Sequence, residues 1–477
     1  MDTYNLFIKD AASTGEYNIV VTPFNGREVG QVEKADTAAV EQAFVNAQFY
    51  FEKVMKKMPA FQRAEILYKV AELMKNEHED LAMTIANEGG KPLTDARIEV
   101  TRAINTVKMS GDEALQLNGN QLTMDRAPGT QNHIAFSIRQ PLGIILAISA
   151  FNHPVNLICH QVATAIAAGN TVLVKPASTT PISCLKMARL FQKAGLPDGV
   201  INVLTISGRE TDKIISDKRI RFVSFIGSGE VGWNIRKKVH NGVGCAFEHG
   251  GTAVAVVDEK ADLEKAVPAL LKGGYYHAGQ VCVSTQIVYL HEKVYDGFIE
   301  KFQNGVSKLI VGDPTMVETQ VGPLIEHQET DRVEKWVDEA ISMGAKALIG
   351  GTKISDSLYS PTILEDVTEE MLVWKEEIFG PVVCFIKYSN LDQVIQSVNQ
   401  KPFSFQTCIY SQDIDVCMHY ARSIETKACM INDHTAFRVD WMPFGGSKES
   451  GLSMGGVRYS IEEMTEEKMI IIKNQIY

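Results

Sequence analysis

Cys282 lies in HAGQVCVST, between a glycine and a run of β-branched residues. A thiolate there would attack a carbonyl carbon, although a lone cysteine is more often an inert buried side chain. Glu248, in EHGG at 248–251, offers a carboxylate that could take a proton, and Asn152, in FNHP at 151–154, offers an amide donor for a developing oxyanion. Taken alone, each also reads plainly, the glutamate as an exposed strand-end carboxylate and the asparagine as a turn residue before Pro154.

FIGSGEVG at 225–232 matches G-x-G-x-x-G at Gly227, Gly229 and Gly232, follows an apolar run and opens a helical stretch. In that setting the N–H groups of the helix start hold a phosphate, so a dinucleotide is the expected ligand and a bare strand-to-helix turn the alternative. The ordinary fingerprint puts a ribose-binding acid about 20 residues on, where Glu248 stands. Lys175, in KPA at 175–177, follows another apolar run, which puts its ammonium at the carboxyl end of a strand, within reach of ribose hydroxyls. The alternative is an ordinary surface lysine.

The elements that must position these groups alternate. From about Thr37 to Glu113 apolar residues recur at helical spacing, and Gly89-Gly90-Lys91-Pro92 is a helix stop. Residues 132–149 turn β-branched and aromatic, broken by Pro141 and Gly143, as strands around a turn would be. The runs TVLVK (171–175), INVLT (201–205), FVSFIG (222–227) and AVAVV (253–257) then alternate with helical stretches, the mark of a parallel sheet covered by helices. A second such series runs from about Gly251 to Gly451 and includes QIVYL and PVVCFI.

At 477 residues the chain exceeds what one core supports, so two or three domains are expected. It is 45% hydrophobic and 22% charged, and no stretch approaches the roughly 20 apolar residues of a membrane helix, so a globular chain without a membrane partner is expected. With 47 basic against 58 acidic side chains, net charge -11 and no basic run, nucleic acid is excluded as an expected partner. The start MDTYNLFIKD lacks the basic end and apolar core of a secretory signal, and the eight cysteines form no C-x-x-C pair and no zinc pattern. A cytoplasmic protein with reduced thiols and no metal is the expectation.

These segments, in this order and joined by EEIFGP at 376–381 and PFGGSKESG at 443–451, resemble the aldehyde dehydrogenase superfamily over nearly the whole chain. The resemblance implies Cys282 as nucleophile, Glu248 as general base and Asn152 as oxyanion donor. It implies Lys175 and Glu377 at the two riboses, Gly227, Ser228 and Gly232 at the pyrophosphate, and Phe379 beside the nicotinamide ribose; Gly229 is not a required position. Ser178 replaces a glutamate common in NAD-preferring relatives, which removes a repulsion from a 2′-phosphate and leaves NAD or NADP as cofactor. His249 stands where most relatives have leucine. The implied fold is α/β, with two Rossmann-like domains and a small β oligomerisation extension. The cofactor domain spans 1–122 and 142–250, the catalytic domain 251–450, and the bridging segments 123–141 and 451–477, with a last strand near 468–477. A homodimer or homotetramer is expected, since the apolar end MIIIKNQIY is costly to expose.

The implied substrate is a small polar or anionic aldehyde, such as lactaldehyde, succinate semialdehyde or a phosphonate or sulfonate aldehyde. Phe151, His153, Arg438 and Trp441 flank its expected site. Arg438 would hold an acid group or else form a salt bridge. The rival readings are a CoA-acylating relative, which usually lacks the base glutamate, an ordinary alcohol dehydrogenase, which leaves GQVC, FNHP and EEIFGP unexplained, and a non-enzymatic protein of the same fold.

Overall fold

The computed structural model describes residues 2–473, and two open α/β sheets contribute to the walls of one large cavity. Helices occupy the N-terminal stretch where the periodicity predicts them, at Thr37–Lys53, Ala60–Asn76, His78–Gly89 and Leu93–Ala114. In the last of these Ala96, Val100, Ala103 and Val107 are buried at three- and four-residue spacing, the stripe a helix lays against a core. Gly90 ends the third helix at φ +69°, a left-handed conformation that glycine adopts without strain.

The first sheet orders its six strands Gly451–Leu452, Gly244–Glu248, Ile220–Ile226, Ile144–Ile148, Thr171–Lys175, Ile201–Val203. All neighbours are parallel except the edge strand Gly451–Leu452. The second has seven strands, ordered Lys346–Ile349, Thr362–Glu365, Val382–Tyr388, Thr285–His291, Ala253–Val257, Gln406–Tyr410, Ala428–Ile431, parallel apart from its first pair. Strands Ile144–Ile148, Thr171–Lys175 and Ala253–Val257 are buried at every position, as apolar runs covered on both faces must be. The expected architecture of two Rossmann-like sheets with a β extension is the one observed.

The extension is an antiparallel sheet in the order Thr465–Lys473, His133–Pro141, Gln121–Leu122, with Thr465 opposite Pro141 and Lys473 opposite His133. The expected last strand therefore starts earlier, at Thr465, and its end at 474–477 lies outside the described residues. The chain from 451 to 464 has other work: Gly451–Leu452 completes the first sheet, and helix Val457–Glu463 packs on Leu93–Ala114. Among the described residues no helix is long and apolar enough to cross a membrane, and no His/Cys/Asp/Glu group could hold a metal.

Candidate active site

A cavity of about 910 Å³ opens at the carboxyl ends of the first sheet's parallel strands, where ligands bind in open α/β sheets. The first sheet supplies Phe151, Asn152 and His153 after Ile144–Ile148, Lys175 and Ser178 at the end of Thr171–Lys175, Gly227 and Ser228 after Ile220–Ile226, and Glu248 as the last residue of its strand. The second supplies Cys282 ahead of Thr285–His291, Glu377 and Phe379 ahead of Val382–Tyr388, and Arg438 beyond Ala428–Ile431. Two expected residues stand off this wall. Trp441 is 65% exposed and lies outside the cavity. Gly232 lies beneath it, where a Cβ would meet the His249 ring at 1.9 Å. That contact gives His249 a packing role: its ring lies 5.2 Å from Trp233 and 5.7 Å from both Phe225 and Phe247.

Cys282 is delivered by a loop with three successive left-handed residues, His277 (φ 48°), Ala278 (φ 54°) and Gly279 (φ 73°). Gln280 holds that loop in place. Its Nε2 donates to the Pro323 carbonyl at 3.1 Å, its Oε1 accepts from Ile325 N–H at 3.0 Å, and its own carbonyl accepts from Asn152 Nδ2 at 2.9 Å. The donor amide and the thiol loop are thus tied together. Burial pushes the Cys282 thiol up, the charges of Glu248 and Glu377 add to the shift, and Arg438 opposes it.

Glu248 lies on the same wall. Burial raises its carboxyl above the ordinary range and Arg438 pulls it back in part. A Cβ at Gly455 would lie 2.5 Å from Glu248 Oε1, so the side chain has the space that glycine leaves. Its strand is fixed on both sides, by Phe225 and Ile226 in parallel and by Gly451 in antiparallel register.

Glu377 is held differently. Its Oε1 accepts from Gly251 N–H at 3.2 Å, and a Cβ at Gly250 would strike Oε2 at 1.8 Å. Burial lifts its carboxyl to about 8 despite that hydrogen bond and the charge of Arg332. Gln286 braces the segment: Nε2 donates to the carbonyls of Val373 (2.9 Å) and Glu376 (2.8 Å), and Oε1 accepts from Ile378 N–H (2.8 Å). Arg332 donates to the Ile378 carbonyl at 2.7 Å, and the buried Lys401 donates to the Trp374 carbonyl. Phe379 takes φ 48° and meets Phe151 edge-on at 5.9 Å. Across the cavity Lys175, whose pKa burial lowers, has no carboxylate partner among the described residues and reaches Ser178 Oγ at 3.5 Å. A lysine and a carboxylate without ion-pair partners, on a wall that begins a helix at Ser228–Gly229, fit a dinucleotide.

The remaining polar cluster was not visible in the sequence. Helix 156–168 contains a π-helical turn, Cys159–Ala163, and Asn156 and His160 both bond Asp440 Oδ1, at 3.1 and 2.9 Å. Arg102 grips the same carboxylate with Nε and Nη2 at 3.1 and 2.8 Å. Beside it Arg438 stacks on Phe444 at 3.5 Å, forms no salt bridge among the described residues, and has a buried Nε without an acceptor. The expected alternative of a structural salt bridge for Arg438 is therefore not what the structure contains. Behind the Asn152 loop a fully buried Lys91–Glu99 ion pair sits where Glu99 Oε1 accepts from Val155 and Asn156 N–H, at 2.9 and 3.1 Å.

The aldehyde dehydrogenase family profile matches residues 9–470. A 3-sulfolactaldehyde dehydrogenase of Priestia aryabhattai is 37% identical over 471 residues, which is 98% of each chain. The crystal structure of aldehyde dehydrogenase 21 from Physcomitrella patens, in complex with the reaction product succinate, superposes with a TM-score of 0.96 at 33% identity and covers 100% of this chain and 99% of that one. Glyceraldehyde-3-phosphate dehydrogenase GapN from Methanocaldococcus jannaschii, complexed with NADP, gives 0.92 at 36% identity over 96% of this chain and 100% of its own.

Proposed function

The chain belongs to the aldehyde dehydrogenase family, and on that premise we propose that Cys282 is the nucleophile through which it turns a small polar or anionic aldehyde into the carboxylate. The overall reaction is NAD(P)-dependent oxidation of an aldehyde to an acid. A bound nicotinamide supplies the hydride acceptor. The chain's own residues do the rest. Glu248 takes the thiol proton, directly or through water, and the Cys282 sulfur bonds to the aldehyde carbon. The resulting oxyanion lies between the second N–H of the Asn152 amide, whose first is given to Gln280, and the Cys282 backbone N–H. Its collapse releases hydride from the former aldehyde carbon and leaves a thioester. Glu248 gives the thiol proton up to solvent and is again a base; it then takes a proton from water as the water oxygen attacks the thioester, the carbon–sulfur bond breaks, and the acid leaves while the Cys282 sulfur regains its proton. A base carboxylate on the wall supports water, rather than CoA, as the acyl acceptor.

Lys175 and Glu377 bind the two riboses in this reading, Gly227 and Ser228 meet the pyrophosphate, and Phe379 borders the nicotinamide ribose. Ser178 leaves room for a 2′-phosphate near Lys175 Nζ, which supports NADP as well as NAD. The observation that carries the substrate class is Arg438, a cavity-lining guanidinium with no carboxylate partner. The sulfonate named for one relative and the succinate bound to another agree with it. Exposed Ile134, Met469, Ile471 and Ile472 on the antiparallel extension support a dimer or tetramer, and eight free thiols a reducing compartment such as the cytoplasm. The test follows reduced-cofactor formation with hydroxylated and acid-bearing aldehydes, NAD or NADP and no CoA. Wild type turns over and Cys282→Ala loses at least about a thousandfold; unchanged turnover in the variant refutes the nucleophile.

A further inference from the structure

We propose that the aldehyde end of the cavity selects for substrates whose acid group carries a single negative charge, a carboxylate or sulfonate, against a doubly charged phosphate. The proposal rests on Arg438 facing the substrate, as argued above, and concerns how much charge that end accepts. Two arginines line it, Arg102 and Arg438, and taken alone they would suit a dianion. Asp440 changes the count. Its carboxylate pairs with Arg102 through two hydrogen bonds, at 3.1 and 2.8 Å, the fork geometry in which a guanidinium charge is cancelled locally. Burial alone would push the Asp440 carboxyl up, but the bond from His160 and the charge of Arg102 hold it well below the ordinary range, so it stays ionised.

The histidines add no charge. Burial keeps His153 well below its usual range, and it lowers His160 as well despite the Asp440 bond. His160 Nε2 faces Asp440 and therefore carries the proton. The same nitrogen lies 3.4 Å from Arg438 Nη2, so this approach offers Arg438 no acceptor. Arg438 is left as one uncompensated cation with a buried, unpartnered Nε, the kind of donor that a ligand completes. Glu248, Cys282, Arg102 and Asp440 are the other groups whose charge it feels. A substrate monoanion satisfies Arg438. A second negative charge has no unpaired cation to meet, since Arg102 is matched by Asp440, and it lies near the carboxylate of Glu248.

Aldehydes of matched length ending in a carboxylate, a sulfonate or a phosphate ester would be compared by kcat/KM from pH 5.5 to 8. The carboxylate and sulfonate are expected to lead the phosphate by at least about tenfold at pH 8. That lead should shrink toward pH 5.5, where a phosphate monoester, with its second pKa about 6, becomes a monoanion. Asp440→Asn adds one net positive charge and should move preference toward the phosphate by about tenfold or more. If that variant is misfolded by thermal melt, the wild-type pH series decides. Preference for the phosphate at pH 8, or a ratio that does not change with pH, overturns the proposal. Preference for uncharged aldehydes over all three overturns the role of Arg438 as well, and no oxidation of any aldehyde overturns the catalytic reading itself.

Discussion

Glu248 ends a strand of the six-stranded sheet, Glu377 leads into a strand of the seven-stranded one, and burial pushes both carboxyls above their ordinary range. Their surroundings then diverge. Around Glu377 the backbone is clamped by Gln286, Arg332 and Lys401, and one carboxylate oxygen is fixed on Gly251 N–H. The Glu248 carboxylate accepts no hydrogen bond among the described residues and borders Gly455, which has no side chain to confine it. A group that shuttles protons needs freedom to reach sulfur at one step and water at another, whereas a group that orients a ribose must be still. The contrast suggests that a cavity can assign opposite duties to one side-chain type by bracing one and leaving the other loose.

Glu248→Gln breaks the unbraced half of this contrast and carries the largest expected effect. Steady turnover should fall by about 100-fold or more, and the first equivalent of reduced cofactor should form more slowly as well, because the same carboxylate takes the thiol proton; a first equivalent at the wild-type rate, with acyl-enzyme accumulating in the intact-protein mass, would confine Glu248 to deacylation. Gly250→Ala strikes the braced half, because its methyl must displace Glu377. Cofactor Kd by fluorescence titration should weaken by about tenfold, while p-nitrophenyl acetate hydrolysis, which the proposed nucleophile Cys282 should carry out without cofactor, is retained. Equal loss of both would indicate general misfolding.

The smallest effect sharpens the comparison through pH. In the proposed reading the ionised Glu377 accepts from ribose hydroxyls, so cofactor affinity should rise by about 3-fold as pH climbs through about 8. Glu377→Gln should flatten that rise. The stability sign is opposite. Between the ordinary glutamate range and about 8 the folded state binds more protons at this residue than the unfolded state, so its contribution to stability falls as pH rises across that window. A wild-type minus variant unfolding free energy that increases over the same window would contradict the shift.

The parts of the site written locally were legible in the sequence. A cysteine, a glutamate, a lysine and glycines at strand ends declare their chemistry through neighbours a few residues away, and twelve of the fourteen expected site residues line the cavity. Trp441 misled because it follows a cavity-lining segment yet points its exposed ring outside it. What could not be read is whatever depends on distant closure. Arg102 and Asp440 are 338 positions apart, Asn156 and Asp440 284 apart, and no periodicity links them. Gln280 and Gln286 look like ordinary polar residues until their three partners each are seen, all of them backbone for Gln286, and two backbone groups plus the Asn152 amide for Gln280. The fold was more legible than its braces because burial on both faces writes itself as apolar runs such as AVAVV.

The Lys91–Glu99 pair behind the Asn152 loop has a consequence for how this protein can change over generations. Both side chains are fully sealed from solvent. Replacing either one strands its partner as a buried charge, at a cost of about 3–5 kcal/mol, a large part of the roughly 5–15 kcal/mol by which proteins exceed unfolding. The two positions are therefore heritable as a unit: a lineage leaves this arrangement by a paired substitution or after prior stabilisation elsewhere, and single steps from either residue meet a fitness valley.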